Sequence, residues 1–172
     1  RQAVASLKKG RRIEELEQFA LNDSMTGFYN RNAYDYFIYN EKNIKNYMVV
    51  TFDLNNLKMC NDNYGHSSGD AYIIHSAHII ETTFDRFGKC YRIGGDEFCC
   101  LIPDAAEFQI ERFIQKMQQD IAILNNKNII PTEVGIACGY ALATPDDADI
   151  EKVRERADEM MYHNKKVLKG LI

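Results

Sequence analysis

The chain has 172 residues, of which 45% are hydrophobic and 27% charged, an ordinary balance for a globular protein with a sizeable core. Its net charge of −4 excludes a bulk electrostatic drive toward nucleic acid or an anionic membrane, so a site for polyphosphate needs locally placed cations. No apolar run approaches the roughly 18 residues of a bilayer span, and no apolar segment of secretory type follows the basic N-terminus.

Five cysteines, Cys60, Cys90, Cys99, Cys100 and Cys138, are odd in number and show no C-x-x-C spacing. They read as buried free thiols of a reducing, cytoplasmic compartment.

In chain order, residues 1–21 predict a helix with Val4, Leu7, Ile13, Leu16 and Ala20 on its apolar side, too isolated to be a domain and suited to a connector or short coiled-coil arm. The abrupt start at Arg1 is read as a cut from a larger protein. Asn22–Asn32 is rich in turn formers, with Gly27 as a break and Asn30 as an N-cap for a helix over 31–43. Tyr47–Leu54 is a near-continuous apolar run that includes Asp53 at its end, the pattern of a central strand covered on both sides. A carboxylate there must be solvated, paired or bound to metal. Residues 55–70 read as a polar, glycine-punctuated connection, and 67–86 as a long helix. His75 and His78 on that helix are either a surface pair or two ligands lacking a third.

Lys89–Ile93 and Phe98–Ile102 read as strands around Gly94-Gly95, a hairpin signal for a two-residue turn with positive φ. Asp96 and Glu97 follow at once and should point to opposite faces. Such a tip is either an ordinary charged hairpin or a place where a carboxylate holds a metal beside bare backbone that phosphate can approach. Residues 106–125 predict an amphipathic scaffold helix, 134–143 a strand, and 149–169 a last helix whose polar end carries Lys165, Lys166 and Lys169. The order predicts an α+β fold, a βαββαβ core with additions: a mostly antiparallel sheet with helices on one face. In that topology Asp53 and the Gly94–Glu97 turn fall side by side.

Four blocks in order, DSMTGFYNR (23–31), FDLNNLKMCNDNYGHSSGD (52–70), YRIGGDEF (91–98) and ADEMMYHNK (157–165), resemble the GGDEF domain, the catalytic domain of diguanylate cyclases. The resemblance runs from about Asp23 to Gly170 and implies a catalytic domain over 22–172, with 1–21 as a linker or dimerisation arm. It implies a palm-like fold related to nucleotidyl cyclases, and a reaction that joins two GTP into cyclic di-GMP and two pyrophosphates. It further implies Mg²⁺ (with Mn²⁺ as a substitute) on Asp53, Asp96 and the carbonyl of Leu54, an ion that suits one or two carboxylates plus phosphate oxygens. Asp96 or Glu97 would be the general base, and Lys58 would stabilise transition-state charge. Amides near Asn55–Leu57 would cradle phosphates, Lys165 and Lys169 would hold the β- and γ-phosphates, and Asn61 and Asp70 would read guanine. Tyr29–Arg31 and Gly65-His66 are read as structural.

Members with product feedback carry an R-x-x-D motif where this chain has Asp85 and Gly88; Leu168 precedes Lys169 where glycine is usual, and Asn55 takes the second acidic position of a D-x-D. The resemblance therefore implies an active cyclase without that inhibitory site, working as a two-fold homodimer under an upstream sensor, in the cytoplasm or as the cytoplasmic part of a membrane-anchored protein. The alternative is a catalytically silent GGDEF domain serving as a GTP-binding regulatory module. Neither reading involves nucleic acid or membrane contact by this stretch.

Overall fold

The computed structural model describes residues 20–106 and 108–168; the arm expected over 1–21 lies outside them but for its last two residues. The elements are α1 (Arg31–Asn40), β1 (Met48–Asn55), α2 (Leu57–Tyr64), α3 (His66–Phe84), β2 (Lys89–Arg92), β3 (Glu97–Ile102), α4 (Ile110–Asn126), β4 (Gly135–Leu142) and α5 (Ile150–Leu168). Asn30 caps α1 as expected, its side chain accepting from Ala33 N at 3.0 Å. The strands form one antiparallel sheet in the order β2-β3-β1-β4, which is the βαββαβ pattern with β1 at its centre.

All eight residues of β1 are buried, because the sheet is covered on both faces. Met48, Val50, Phe52 and Leu54 enter one core with Tyr72, Ile80 and Phe84 of α3 and Met117 of α4. Val49 enters a second, with Tyr34 of α1 and Val153 and Ala157 of α5. The expectation of helices on one face is thereby corrected. The crossover helices α3 and α4 cover one side, and α1 and α5, outside the core pattern, cover the other.

Two further expectations change. Within the polar stretch 55–70, α2 forms from Leu57 to Tyr64 with only Leu57 and Cys60 buried, so its apolar signal is a single three-residue step. Gly65, at φ +84, separates it from α3 and donates its N–H to Asn61 O at 2.8 Å, a conformation in which glycine carries no Cβ penalty. The hairpin, moreover, is not closed by two residues. Arg92 opposite Phe98 is its last ladder pair, Ile93 N and Gly94 N both donate to Glu97 O at 3.0 and 3.2 Å, and neither Gly94 nor Gly95 is at positive φ. The wider loop leaves room to aim Asp96 sideways, toward β1.

Candidate active site

Asp53 is only 8% exposed. It pairs across the sheet with Glu97 on one side and Ala137 on the other, on the face that α5 covers. The close approach of α5 follows from Gly139. A Cβ there would lie 2.2 Å from Ala157 O and from Met161 N, so only a residue without a side chain lets the helix backbone sit on β4. Asn164 Nδ2 then donates to Cys138 O at 2.8 Å. One residue further, Lys165 Nζ meets Asp53 Oδ1 at 2.5 Å. A carboxylate this buried is destabilising without a partner, and the ammonium supplies one.

The turn reaches the same place from the other side. Leu54 N donates to Asp96 O at 3.0 Å, one step beyond the Asp53–Glu97 pair. Asp96 thereby joins Leu54, Lys58, Asp62 and Lys165 around a cleft of about 450 Å³. The expected metal and phosphate residues Asp53, Leu54, Asp96, Lys58 and Lys165 are thus brought together. Asn56, at φ 62, bends the chain into α2 along the cleft's edge.

Other expected residues stand apart from the cleft. Glu97 is exposed, and its Oε2 lies 2.8 Å from where a Gly94 Cβ would be; the glycine accommodates that carboxylate. No atom comes within 4 Å of a Cβ position at Gly95, so that side of the turn stays open. Asn61 lies at the α2–α3 corner instead, its side chain occupying the space over Gly69 with Oδ1 only 1.9 Å from a Cβ position, and the neighbouring Asp70 is exposed. Asn55 faces a neighbouring cleft toward α4 and β4. Lys169 lies outside the described residues.

Arg92 was given no role by the sequence reading. Its Nη2 donates to Gly95 O at 2.7 Å, and its Nη1 donates to Asp23 Oδ1 and Oδ2 at 3.1 and 3.3 Å. Asp23 in turn accepts from Thr26 N and Oγ1 at 2.9 and 2.7 Å. Burial acts to raise the Asp23 carboxyl, but the hydrogen bonds from Thr26 and Arg92 outweigh it and hold it below the usual carboxylate range. The turn that carries Asp96 is thereby fastened to the turn over 23–27. The available signal was an arginine directly before a loop whose carbonyls lack ladder partners.

Hard oxygen donors from Asp53, Asp96 and Leu54 with no His or Cys among the cleft residues fit Mg²⁺ by donor chemistry. Among the described residues no group of three or more His, Cys, Asp or Glu is placed to hold a metal; on α3, His78 is exposed, with its Nδ1 3.7 Å from Glu81 Oε2, and His75 is half-buried. All five cysteines are free and buried, and burial pushes the Cys138 thiol up to about 12, the range of an unreactive thiol.

The family described as diguanylate cyclase, GGDEF domain, matches residues 20–169. The chain belongs to the GGDEF-domain family. It is 31% identical over 157 residues to diguanylate cyclase DgcN of Escherichia coli, covering 88% of this chain and 38% of that protein. It is 27% identical over 161 residues to diguanylate cyclase DgcS of Shewanella oneidensis, covering 88% of this chain and 52% of that protein. It thus spans between about a third and a half of these curated relatives. Among solved structures, the coiled coil and GGDEF domain of DgcB from Caulobacter crescentus, in complex with c-di-GMP, superposes with a TM-score of 0.81 at 22% identity, over 96% of this chain and 91% of that one. The GGDEF domain of FimX from Pseudomonas aeruginosa gives 0.70 at 18% identity, over 85% and 94%. These likenesses fix the palm-like fold.

Within this GGDEF domain, Gly88 has a steric reason to be glycine. A Cβ at that position would lie 2.1 Å from Leu101 O, so the aspartate of an R-x-x-D motif cannot be placed there without moving β2 from β3.

Proposed function

We propose that this domain is a diguanylate cyclase, joining two GTP into cyclic di-GMP with release of two pyrophosphates. The observation that carries the reading is that Asp96, Lys58 and Lys165 line one cleft and that Lys165 is paired with the buried Asp53 beside it. The chemistry needs an α-phosphate attacked by a 3′-hydroxyl, and a polyanionic leaving group. Catalysis of such a transfer is mostly positioning and charge stabilisation.

Asp53, Asp96 and the Leu54 carbonyl would hold Mg²⁺, which when bound polarises the α-phosphate and neutralises the departing pyrophosphate. Lys165 is held ready by Asp53, and a carboxylate engaged elsewhere frees its ammonium for the β- and γ-phosphates. Lys58, exposed on the first turn of α2, reaches transition-state charge from the other wall. Between the two candidate bases, Asp96 lines the cleft and Glu97 does not, so Asp96 is the nearer acceptor for the hydroxyl proton. Asn61 and Asp70 read the guanine edge from the α2–α3 corner: an ionised aspartate accepts from N1–H and the exocyclic amine together, which adenine cannot match.

One cleft binds one GTP, and each GTP supplies a hydroxyl to the other's phosphate. Two domains must therefore face each other about a two-fold axis. The reaction belongs in the cytoplasm, where GTP and reduced thiols occur, and no helix of the described residues is long and apolar enough to cross a membrane.

Calorimetry with GTP on the unsubstituted chain and on Asp96→Ala tests the division of roles. Retained GTP binding with turnover lost only in the variant is the expected result. GTP binding with no turnover in either would identify a silent regulatory module.

A further inference from the structure

Tyr72 is fully buried in the first half of α3, two residues past Asp70. Its ring packs in the apolar core between the sheet and α3, a place that phenylalanine would fill equally well. The hydroxyl, however, makes a set of contacts with one location. It donates to Asn55 O at 2.6 Å, accepts from Gly135 N at 2.7 Å and lies 3.1 Å from Gly135 O. Asn55 and Gly135 are the last pair of the β1–β4 ladder. Beyond Asn55 the chain turns at Asn56, φ 62, into α2. All of the hydroxyl's partners are therefore backbone groups at the point where β1 becomes the loop along the cleft.

We propose that Tyr72 is a positioning residue for the nucleotide's phosphates, fastening the Asn55–Leu57 backbone so that its amides are aimed before GTP arrives. The inference rests on the cyclase reading above, and it adds a link between two parts of the site. Residue 70, which reads the base, and residue 72, which holds the phosphate loop, lie on one helix, so base and phosphate contacts are kept at a fixed separation. Burial pushes the Tyr72 hydroxyl up to about 12, so it remains a donor to Asn55 O throughout the neutral range.

Tyr72→Phe in the full chain removes the hydroxyl and keeps the ring. Loss of one positioning hydrogen bond corresponds to roughly a 3- to 10-fold effect. The expected result is a KM for GTP raised by that factor with kcat within about twofold of the parent, assayed well below both melting midpoints. A lowered melting midpoint with an unchanged KM would show a purely structural hydroxyl and overturn the proposal. If the parent chain lacks turnover, the same comparison is made by calorimetry with a non-hydrolysable GTP analogue. A several-fold weaker variant supports Tyr72's role even though the cyclase reading fails, and equal affinities overturn it. A parent that neither turns over nor binds the analogue overturns both. Should the variant not fold, amide exchange on the parent decides: the analogue should slow exchange at Gly135 N–H together with Leu57, and an unchanged Gly135 overturns the link.

Discussion

Asp53 is a carboxylate that the fold buries before any substrate arrives, and Lys165 is the residue that makes this tolerable. Lys165→Met leaves the acid without its partner. The pair is partly open to solvent, with side chains 24% and 12% exposed, so the full penalty of a broken buried ion pair is discounted to about 1–3 kcal/mol. Chemical denaturation of the variant checks that loss, and a KM for GTP raised about tenfold or more is expected beside it. Arg92 offers a complementary test at the turn. Lysine at that position keeps the charge but cannot span Asp23 and Gly95 O with one planar fork, so Arg92→Lys should lower kcat several-fold and cost about 1–2 kcal/mol of stability. Asp23 adds a pH signature. Its native carboxyl lies below the usual value of 3.8, so its stabilising contribution is complete above pH about 4 and is lost as pH falls through the lowered native value. Asp23→Asn should therefore be less stable at pH 7 and show a shallower loss on acidification, read from melting curves between neutral and acid pH. Asp53 and Asp96 were visible in the sequence because each is acidic next to a strand-like run, where a bare charge has to be explained. The link from Arg92 to Asp23 and those from Tyr72 to Asn55 and Gly135 were not, since these partners are distant along the chain.

Among the elements, α5 decides where Lys165 ends up, and Gly139 decides how closely α5 can lie. Gly139→Ala places a methyl 2.2 Å from helix backbone atoms. The helix has to lift, with an expected loss of about 1–3 kcal/mol and a fall in turnover as Lys165 leaves Asp53. Thermal melting and a GTP assay on the same preparation check both parts. The strands, the long helices and the hairpin were legible because their apolar periods are strong over many residues. The short α2 was not, with only Leu57 and Cys60 facing inward among asparagines that read as loop. The turn of the hairpin was misjudged for a related reason. Glycine pairs signal positive φ, whereas Gly94 is needed here for the room it gives the Glu97 side chain. The second helical layer was implicit in the unbroken apolar run of β1, but a strand buried on both faces does not say which helices do the covering.

As a whole molecule, the domain carries the Asp96–Lys58–Lys165 cleft once, at the end of β1 and the tip of the hairpin, half of what the proposed condensation requires. Turnover per chain should accordingly rise with protein concentration over the range where two-fold pairs form. The central claim is that the cleft of Asp96, Lys58 and Lys165, with Asp53 beside it, makes a cyclic dinucleotide from GTP. The most direct measurement is chromatography of the nucleotides formed when the purified chain, at high concentration, is incubated with GTP and Mg²⁺. The account predicts cyclic di-GMP and pyrophosphate in a ratio of one to two, dependent on the divalent ion and abolished by Asp96→Ala. GTP recovered unchanged at every protein concentration, or the same product from Asp96→Ala, would contradict it.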